Sequence, residues 1–184
     1  MRLYLVRHPP PLVAANTCYG STDLAVAAEE QARALQSLSA LLPRKCPLFS
    51  SPLQRCAGLA QDLAETLACA PVRYDARLAE MHFGKWEMCA WDAIARSEID
   101  AWADDMAGYR PGGGENLLQM AQRVCAFYDD LRQSRHKRAI VVCHAGTIRL
   151  LLACQLGLCL ADAALHAART PHSIGYGELL VVDA

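Results

Sequence analysis

Ala139-Ile140-Val141-Val142-Cys143-His144-Ala145-Gly146 is the stretch on which the fold reading turns. Five apolar residues run without a polar break, which is the pattern of a strand buried on both faces of a parallel sheet. The run stops and a histidine follows at once. Leu3-Tyr4-Leu5-Val6-Arg7-His8 repeats the arrangement at the other end of the chain. In open α/β sheets, chemistry sits in the crevice outside the carboxyl ends of the strands. His8 and His144 are therefore candidate site residues, with Arg7 beside the first. Between them in sequence lie Arg55, in Ser51-Pro52-Leu53-Gln54-Arg55, and Glu80, in Leu78-Ala79-Glu80-Met81-His82-Phe83-Gly84. Two histidines, two arginines and a carboxylate suit a phosphate pocket with a nucleophile and a proton donor.

Working outward, strands and helices alternate. A helical face runs from Ala28 to Leu42, with Ala32, Leu35, Leu38 and Leu42 on one side. Leu48-Phe49 reads as a short strand. Ser51-Pro52 reads as an N-cap followed by proline in the first turn, so that Arg55 falls near a helix N-terminus, where the dipole favours an anion. Val72 to Tyr74 suggests a third strand. Trp91, Ile94, Ala95 and Trp102 fit one or two short helices, and Pro111 to Gly114 a flexible break. Leu117 to Leu131 and Thr147 to Leu156 read as helices, and Leu179 to Val182 as a last strand. This alternation predicts one domain over residues 1–184: a three-layer α/β/α fold with a mostly parallel central sheet. Residues 81–115, poor in strand signal, are the expected cap or lid.

Composition narrows the function classes. The chain has 184 residues, is 53% hydrophobic and carries a formal charge of −1, which gives no reason to expect nucleic acid or an anionic membrane as partner. The basic run Arg135-His136-Lys137-Arg138 reads as a solvated helix end. Nine cysteines without a C-x-x-C pair predict a reduced, cytoplasmic protein whose thiols mostly fill the core. Four apolar residues before Arg7 are too few for a signal-peptide core, and no run reaches membrane-spanning length.

The motifs also carry a resemblance. Leu5-Val6-Arg7-His8, Ser51-Pro52-Leu53-Gln54-Arg55-Cys56, Glu80 to Met88, Gly113-Gly114-Glu115 and Val142-Cys143-His144-Ala145-Gly146 are similar, in order, to the motifs of the histidine phosphatase superfamily, which includes the cofactor-dependent phosphoglycerate mutases. Tyr19-Gly20-Ser21-Thr22-Asp23-Leu24 resembles the loop that closes over the phosphate. The acid motif, with Trp86-Glu87-Met88, is most similar to the α-ribazole phosphatases of cobalamin synthesis. The resemblance implies a metal-independent, cofactor-free phosphomonoesterase acting on a small phosphorylated substrate, with α-ribazole 5′-phosphate favoured. Arg7 and Arg55 would grip the phosphate, His8 attack phosphorus, His144 donate to an oxygen, and Glu80 protonate the leaving group and then activate water.

The chain departs from the family at several places. Pro9 and Pro10-Pro11 stand where glycine and a nearby threonine are usual, and Ala145 where glycine is common. Asn16 is a displaced candidate for a lost polar contact; Tyr19, Gly20 and Ala145 are further substrate-side candidates, and His82 and His172 are weighed against exposed or structural roles. Gly112-Gly113-Gly114-Glu115 lacks the ending of a phosphate loop. The competing readings are a broader sugar-phosphate or nucleotide phosphatase and a non-catalytic phospholigand-binding module. A mutase fits less well with the short cap, and an oxidoreductase lacks its Gly-rich fingerprint.

Overall fold

The computed structural model describes residues 1–171 and 173–183. Its strands are β1 (Arg2–Arg7), β2 (Leu48–Ser50), β3 (Arg73–Tyr74), β4 (Arg138–Cys143) and β5 (Leu179–Asp183). Its helices are α1 (Ala28–Ser39), α2 (Gln54–Thr66), α3 (Arg96–Asp104), α4 (Leu117–Gln133), α5 (Ala145–Cys154) and α6 (Leu160–Arg169). The five strands form one sheet in the order β3-β2-β4-β1-β5. All neighbours are parallel except β5, which runs antiparallel to β1 at the edge. The chain is thus the expected three-layer, mostly parallel α/β fold.

Side-chain alternation explains why the strands are apolar throughout. Leu3 and Leu5 of β1 and Ala139, Val141 and Cys143 of β4 enter the core beneath α4, α5 and α6. Val6, Ile140 and Val142 enter the opposite core, beneath α1 and α2. The central strand β4 is sealed on both faces beyond Arg138, so neither parity of its residues can be polar, whereas of the edge strands β3 is exposed and β5 only partly covered.

Register then places the chemistry. Arg7 pairs with Cys143 and Val6 with Val142, and Ser50 of β2 also pairs with Val142. Three adjacent parallel strands therefore end at one level, and the next residues, His8, His144 and Ser51, emerge side by side.

Residues 81–115 contain α3 and 3-10 turns at Gly84–Trp86, Trp91–Ala93 and Pro111–Gly113. They have a separate apolar cluster around Cys18, Trp86 and Ile94. Trp91 and Trp102 stack at 7°, and Trp86 meets Trp102 edge-on with centroids 5.7 Å apart.

Several local expectations are corrected. Ser51 is not the N-cap: α2 begins after Leu53 without a side-chain cap, and the Ser51 hydroxyl accepts from the Leu53 amide at 3.3 Å ahead of the helix while also pairing with His144. Helix α1 stops at Ser39, and α5 runs from Ala145 to Cys154, two residues ahead of its expected bounds. Arg135 to Lys137 lie beyond the end of α4, and Arg138 opens β4. Helix α6 is not legible because its buried face is Ala163, Ala164 and Ala167, a weak apolar signal. Helix α4 starts with a capping box, Asn116 with Gln119, that pattern reading passed over.

Candidate active site

The His8 and His144 rings meet with centroids 5.0 Å apart, and the residues are 2% and 1% exposed. His8 Nδ1 donates to the Pro9 carbonyl at 2.7 Å. A neutral imidazole with Nδ1 protonated carries its lone pair on Nε2. Burial, then the Arg55 and Arg7 charges, lower the His8 pKa to about 3, against the opposing Pro9 hydrogen bond. The ring is neutral at pH 7. The bond to residue 9 uses a carbonyl, which proline keeps, so the loss of the Pro9 N–H does not touch it. Burial and the same cations also hold His144 well below the usual range. His144 Nε2 pairs with Ser51 Oγ at 2.9 Å and lies 3.5 Å from Cys56 Sγ. Burial pushes that thiol up, so Cys56 packs there as a neutral group.

Arg7 ends β1 and Arg55 lies in the first turn of α2, as its spacing predicts. Arg55 is 1% exposed and donates from Nη1 to the Thr22 carbonyl (2.7 Å) and from Nη2 to the Gly20 carbonyl (2.5 Å). Arg7 donates from Nη1 to the Ile174 carbonyl at 2.6 Å. The buried Nε atoms of both arginines have no partner among the described residues. They are donors suited to an anion.

The Gly20–Thr22 loop is in turn held by Glu87. Its carboxylate accepts from the Ser21 and Thr22 amides (2.8 and 2.9 Å), both hydroxyls, and the Phe83 amide (2.9 Å). Burial opposes the charge, but the combined donors from Thr22, Phe83 and Ser21 keep Glu87 below the usual carboxylate range. Gly20 is required here: a Cβ would stand 2.0 Å from the Met81 carbonyl.

Glu80 docks on the start of α5, its Oε2 accepting from the Gly146 amide at 3.0 Å and its Oε1 from Met81 at 3.1 Å. A helix N-terminus favours a carboxylate. A Cβ at position 146 would lie 2.4 Å from Glu80 Oε1, so this approach needs glycine. Arg123 of α4 binds the carbonyls of Arg77, Ala79 and Glu80 (2.8, 2.6 and 3.2 Å) and is itself paired with Glu115 at 2.7 Å. Arg123 and Thr147, whose hydroxyl bonds the same backbone, were missed by pattern reading. Their signal, a polar side chain on an otherwise buried helix face, is visible only once the helices are packed.

A cavity of about 450 Å³ opens over this floor. Its polar lining, the phosphate end, is Arg7, His8, Arg55 and Glu80, with Tyr19, Gly20 and Ala145. Its apolar lining, the aromatic end, is Phe83, Trp91, Trp102, Met106, Leu117 and Met120, with Phe83 abutting Gly20 where the two adjoin, and Arg149 is also on the wall. His144 is not on the cavity surface; it reaches the site through the His8 ring and Ser51. Asn16 is not brought there either. It sits exposed in a left-handed turn (φ 63°), where its carbonyl accepts from the Trp91 amide. His82 is exposed because Met81 and Phe83 on either side turn inward. It lines a neighbouring polar recess with Arg110, Glu115 and Arg123. His172 falls outside the described residues. Among those residues, no group of three or more His, Cys, Asp or Glu side chains is arranged to hold a metal ion.

A family model of the histidine phosphatase superfamily (branch 1) matches residues 3–174. The chain belongs to this superfamily. It is 30% identical over 165 residues to the adenosylcobalamin/alpha-ribazole phosphatase of Escherichia coli K12, covering 86% of this chain and 80% of that one. It is also 30% identical over 186 residues to the glucosyl-3-phosphoglycerate phosphatase of Mycobacterium tuberculosis, covering 88% and 78%. The structure of the alpha-ribazole phosphatase from Shigella flexneri aligns with a TM-score of 0.81 at 26% identity, over 100% of this chain and 90% of that one. This histidine phosphatase is accordingly a phosphoric monoester hydrolase, and its paired buried histidines with two flanking arginines form a site suited to a phosphoryl dianion.

Proposed function

We propose that this histidine phosphatase hydrolyses α-ribazole 5′-phosphate through a phosphohistidine on His8, without a metal ion. The observation that carries the reading is the His8 ring: neutral, with Nδ1 tied to Pro9 so that Nε2 keeps its lone pair, and with the Arg55 and Arg7 charges near enough to lower its pKa. In the first step, Nε2 attacks phosphorus, the bond to the ester oxygen breaks, and Glu80 gives that oxygen a proton. In the second, Glu80 takes a proton from water, the water oxygen attacks phosphorus, and the P–N bond breaks back onto Nε2. Arg7 and Arg55 hold the phosphoryl oxygens throughout, and His144 packs behind the His8 ring and acts through it. Tyr19, Gly20 and Ala145 border the phosphate end.

The wall facing the leaving group supports the choice of substrate. α-Ribazole carries a flat benzimidazole, which suits Phe83, Trp91 and Trp102. Phosphoserine or a phosphoglycerate derivative brings a carboxylate, and Arg149, which lines the cavity in addition to Arg7 and Arg55, favours that second reading. A cytoplasmic setting is part of the proposal. It is supported by nine free thiols and by the absence, among the described residues, of a helix long and apolar enough to cross a membrane.

The test is hydrolysis of α-ribazole 5′-phosphate, phosphoserine, glucosyl-3-phosphoglycerate and p-nitrophenyl phosphate side by side in excess EDTA, with acid-labile phosphoenzyme trapped by quench. Turnover that survives chelator and favours α-ribazole 5′-phosphate is expected. A preference for either carboxylated ester moves the assignment to the second reading, and chelator-sensitive turnover removes the metal-independent mechanism.

A further inference from the structure

Arg7 is braced from a segment that its sequence neighbourhood does not announce. Its guanidinium carbon lies 3.8 Å from the centre of the Tyr176 ring. The same ring lies against His8, centroids 5.5 Å apart. The Tyr176 hydroxyl meets that of Tyr19 at 2.5 Å, and the Tyr19 ring lies 5.5 Å from the Arg55 guanidinium. Contacts thus run from one arginine to the other through two tyrosines. Tyr176 is 44% exposed, so burying its ring does not by itself explain its place.

The turn that bears Tyr176 is stitched to the site. Gly177 N–H contacts the Arg7 and His8 carbonyls, each at 3.2 Å, and Arg7 N–H donates to Glu178 at 3.0 Å. Gly177 adopts φ 68°, the left-handed turn that brings the chain back at this point. Guanidinium stacking on an aromatic face restricts the guanidinium plane and excludes water from one side. With Nη1 bonded to Ile174 and the guanidinium stacked on Tyr176, Nε stays buried and without a partner among the described residues.

We propose that Tyr176 is a positioning residue of the phosphate site: its ring sets the plane of Arg7, and its hydroxyl latches the Tyr19 loop beside the bound phosphoryl group. This rests on the reading of Arg7 as a phosphate ligand. Burial and the Tyr176 hydroxyl push the Tyr19 phenol up, so it stays protonated and can donate in the latch.

The experiment compares Tyr176→Ala, Tyr176→Phe, Tyr19→Phe and the Tyr19→Phe/Tyr176→Phe pair in the full chain. The readouts are kcat, KM and competitive inhibition by orthovanadate, with thermal midpoints alongside. Tyr176→Ala is expected to raise KM and the vanadate inhibition constant by about five- to tenfold, with a much smaller change in kcat. Tyr176→Phe keeps the stack and recovers most of that loss. The two Phe variants are expected to share one small residual effect, about two- to threefold, that does not grow in the pair, since both remove the same bond. Unchanged KM and vanadate inhibition in Tyr176→Ala overturn the proposal, even if its thermal midpoint falls. A Phe variant as impaired as the Ala variant overturns the stacking half. His8→Ala separates the two levels: turnover in that variant removes the underlying site reading, whereas an inactive His8→Ala with a normal Tyr176→Ala removes only the tyrosine.

Discussion

The phosphate end and the aromatic end of the cavity are built on different principles. The phosphate end stands on three parallel strands that stop at one level, and its histidines are almost fully enclosed. Backbone register sets its geometry. The aromatic end hangs on short turns and α3, between Met81 and Leu117, and is held by ring-on-ring contacts among Phe83, Trp86, Trp91 and Trp102. A sheet edge cannot shift a residue without moving every pair in the ladder, whereas an aromatic cluster repacks locally. On the proposed reading, chemistry belongs to the rigid end and choice of leaving group to the adaptable end.

The sharpest way to break this division is at the nucleophile. His8→Ala should lower kcat by roughly 10⁴-fold or more on every phosphoester, measured with both p-nitrophenyl phosphate and α-ribazole 5′-phosphate. A loss confined to one substrate would show that the rigid end also selects the leaving group. Glu80→Gln should cost about 10²- to 10⁴-fold on esters with a poor leaving group, and much less on p-nitrophenyl phosphate, whose phenolate leaves without a proton. Equal losses on both would argue against proton donation. Trp102→Ala should raise KM for α-ribazole 5′-phosphate by about tenfold while leaving orthovanadate inhibition unchanged. A matching loss of vanadate affinity would mean that the two ends are coupled.

Stability offers a gentler test. His8 titrates near 3 in the folded chain and His144 well below its usual value, while the unfolded chain binds protons at both from about pH 6.5 downward. Folding stability is therefore full above that pH and falls as acid is added, by about 1.4 kcal/mol per pH unit for each histidine. His8→Asn should remove one such increment from the slope of urea-unfolding free energy between pH 6 and 4. An unchanged slope would place His8 outside the neutral, desolvated state. The smallest effect belongs to Pro9→Gly, expected to leave kcat within about twofold, because the bond to His8 Nδ1 uses a carbonyl that both residues have.

Much of this was legible before any coordinates, and the reason is periodicity. Unbroken apolar runs at Leu3–Val6 and Ala139–Cys143 mark strands sealed on both sides, and a polar residue at the end of such a strand has one crevice to enter. Arg7, His8 and His144 are read that way, Arg55 from a helix start and Glu80 from its motif; Arg7, His8, Arg55 and Glu80 share one cavity. Asn16 and His82 were offered by nearness in sequence, and they fail because a left-handed turn and an inward-outward alternation carry them away. Glu87, Arg123 and Tyr176 act across 65, 43 and 169 residues, and no local pattern records such pairs.

The alternation of strands and helices and the identity of the groups at the strand ends follow from the sequence alone, because hydrophobic period and side-chain chemistry are local. Only packing decides that the Pro9 carbonyl orients the His8 ring, that Glu87 and Arg123 hold the Gly20–Thr22 loop and the Glu80 backbone, and that a tyrosine near the last strand covers Arg7. Those are matters of distance between remote segments, set only when both faces of the sheet are packed.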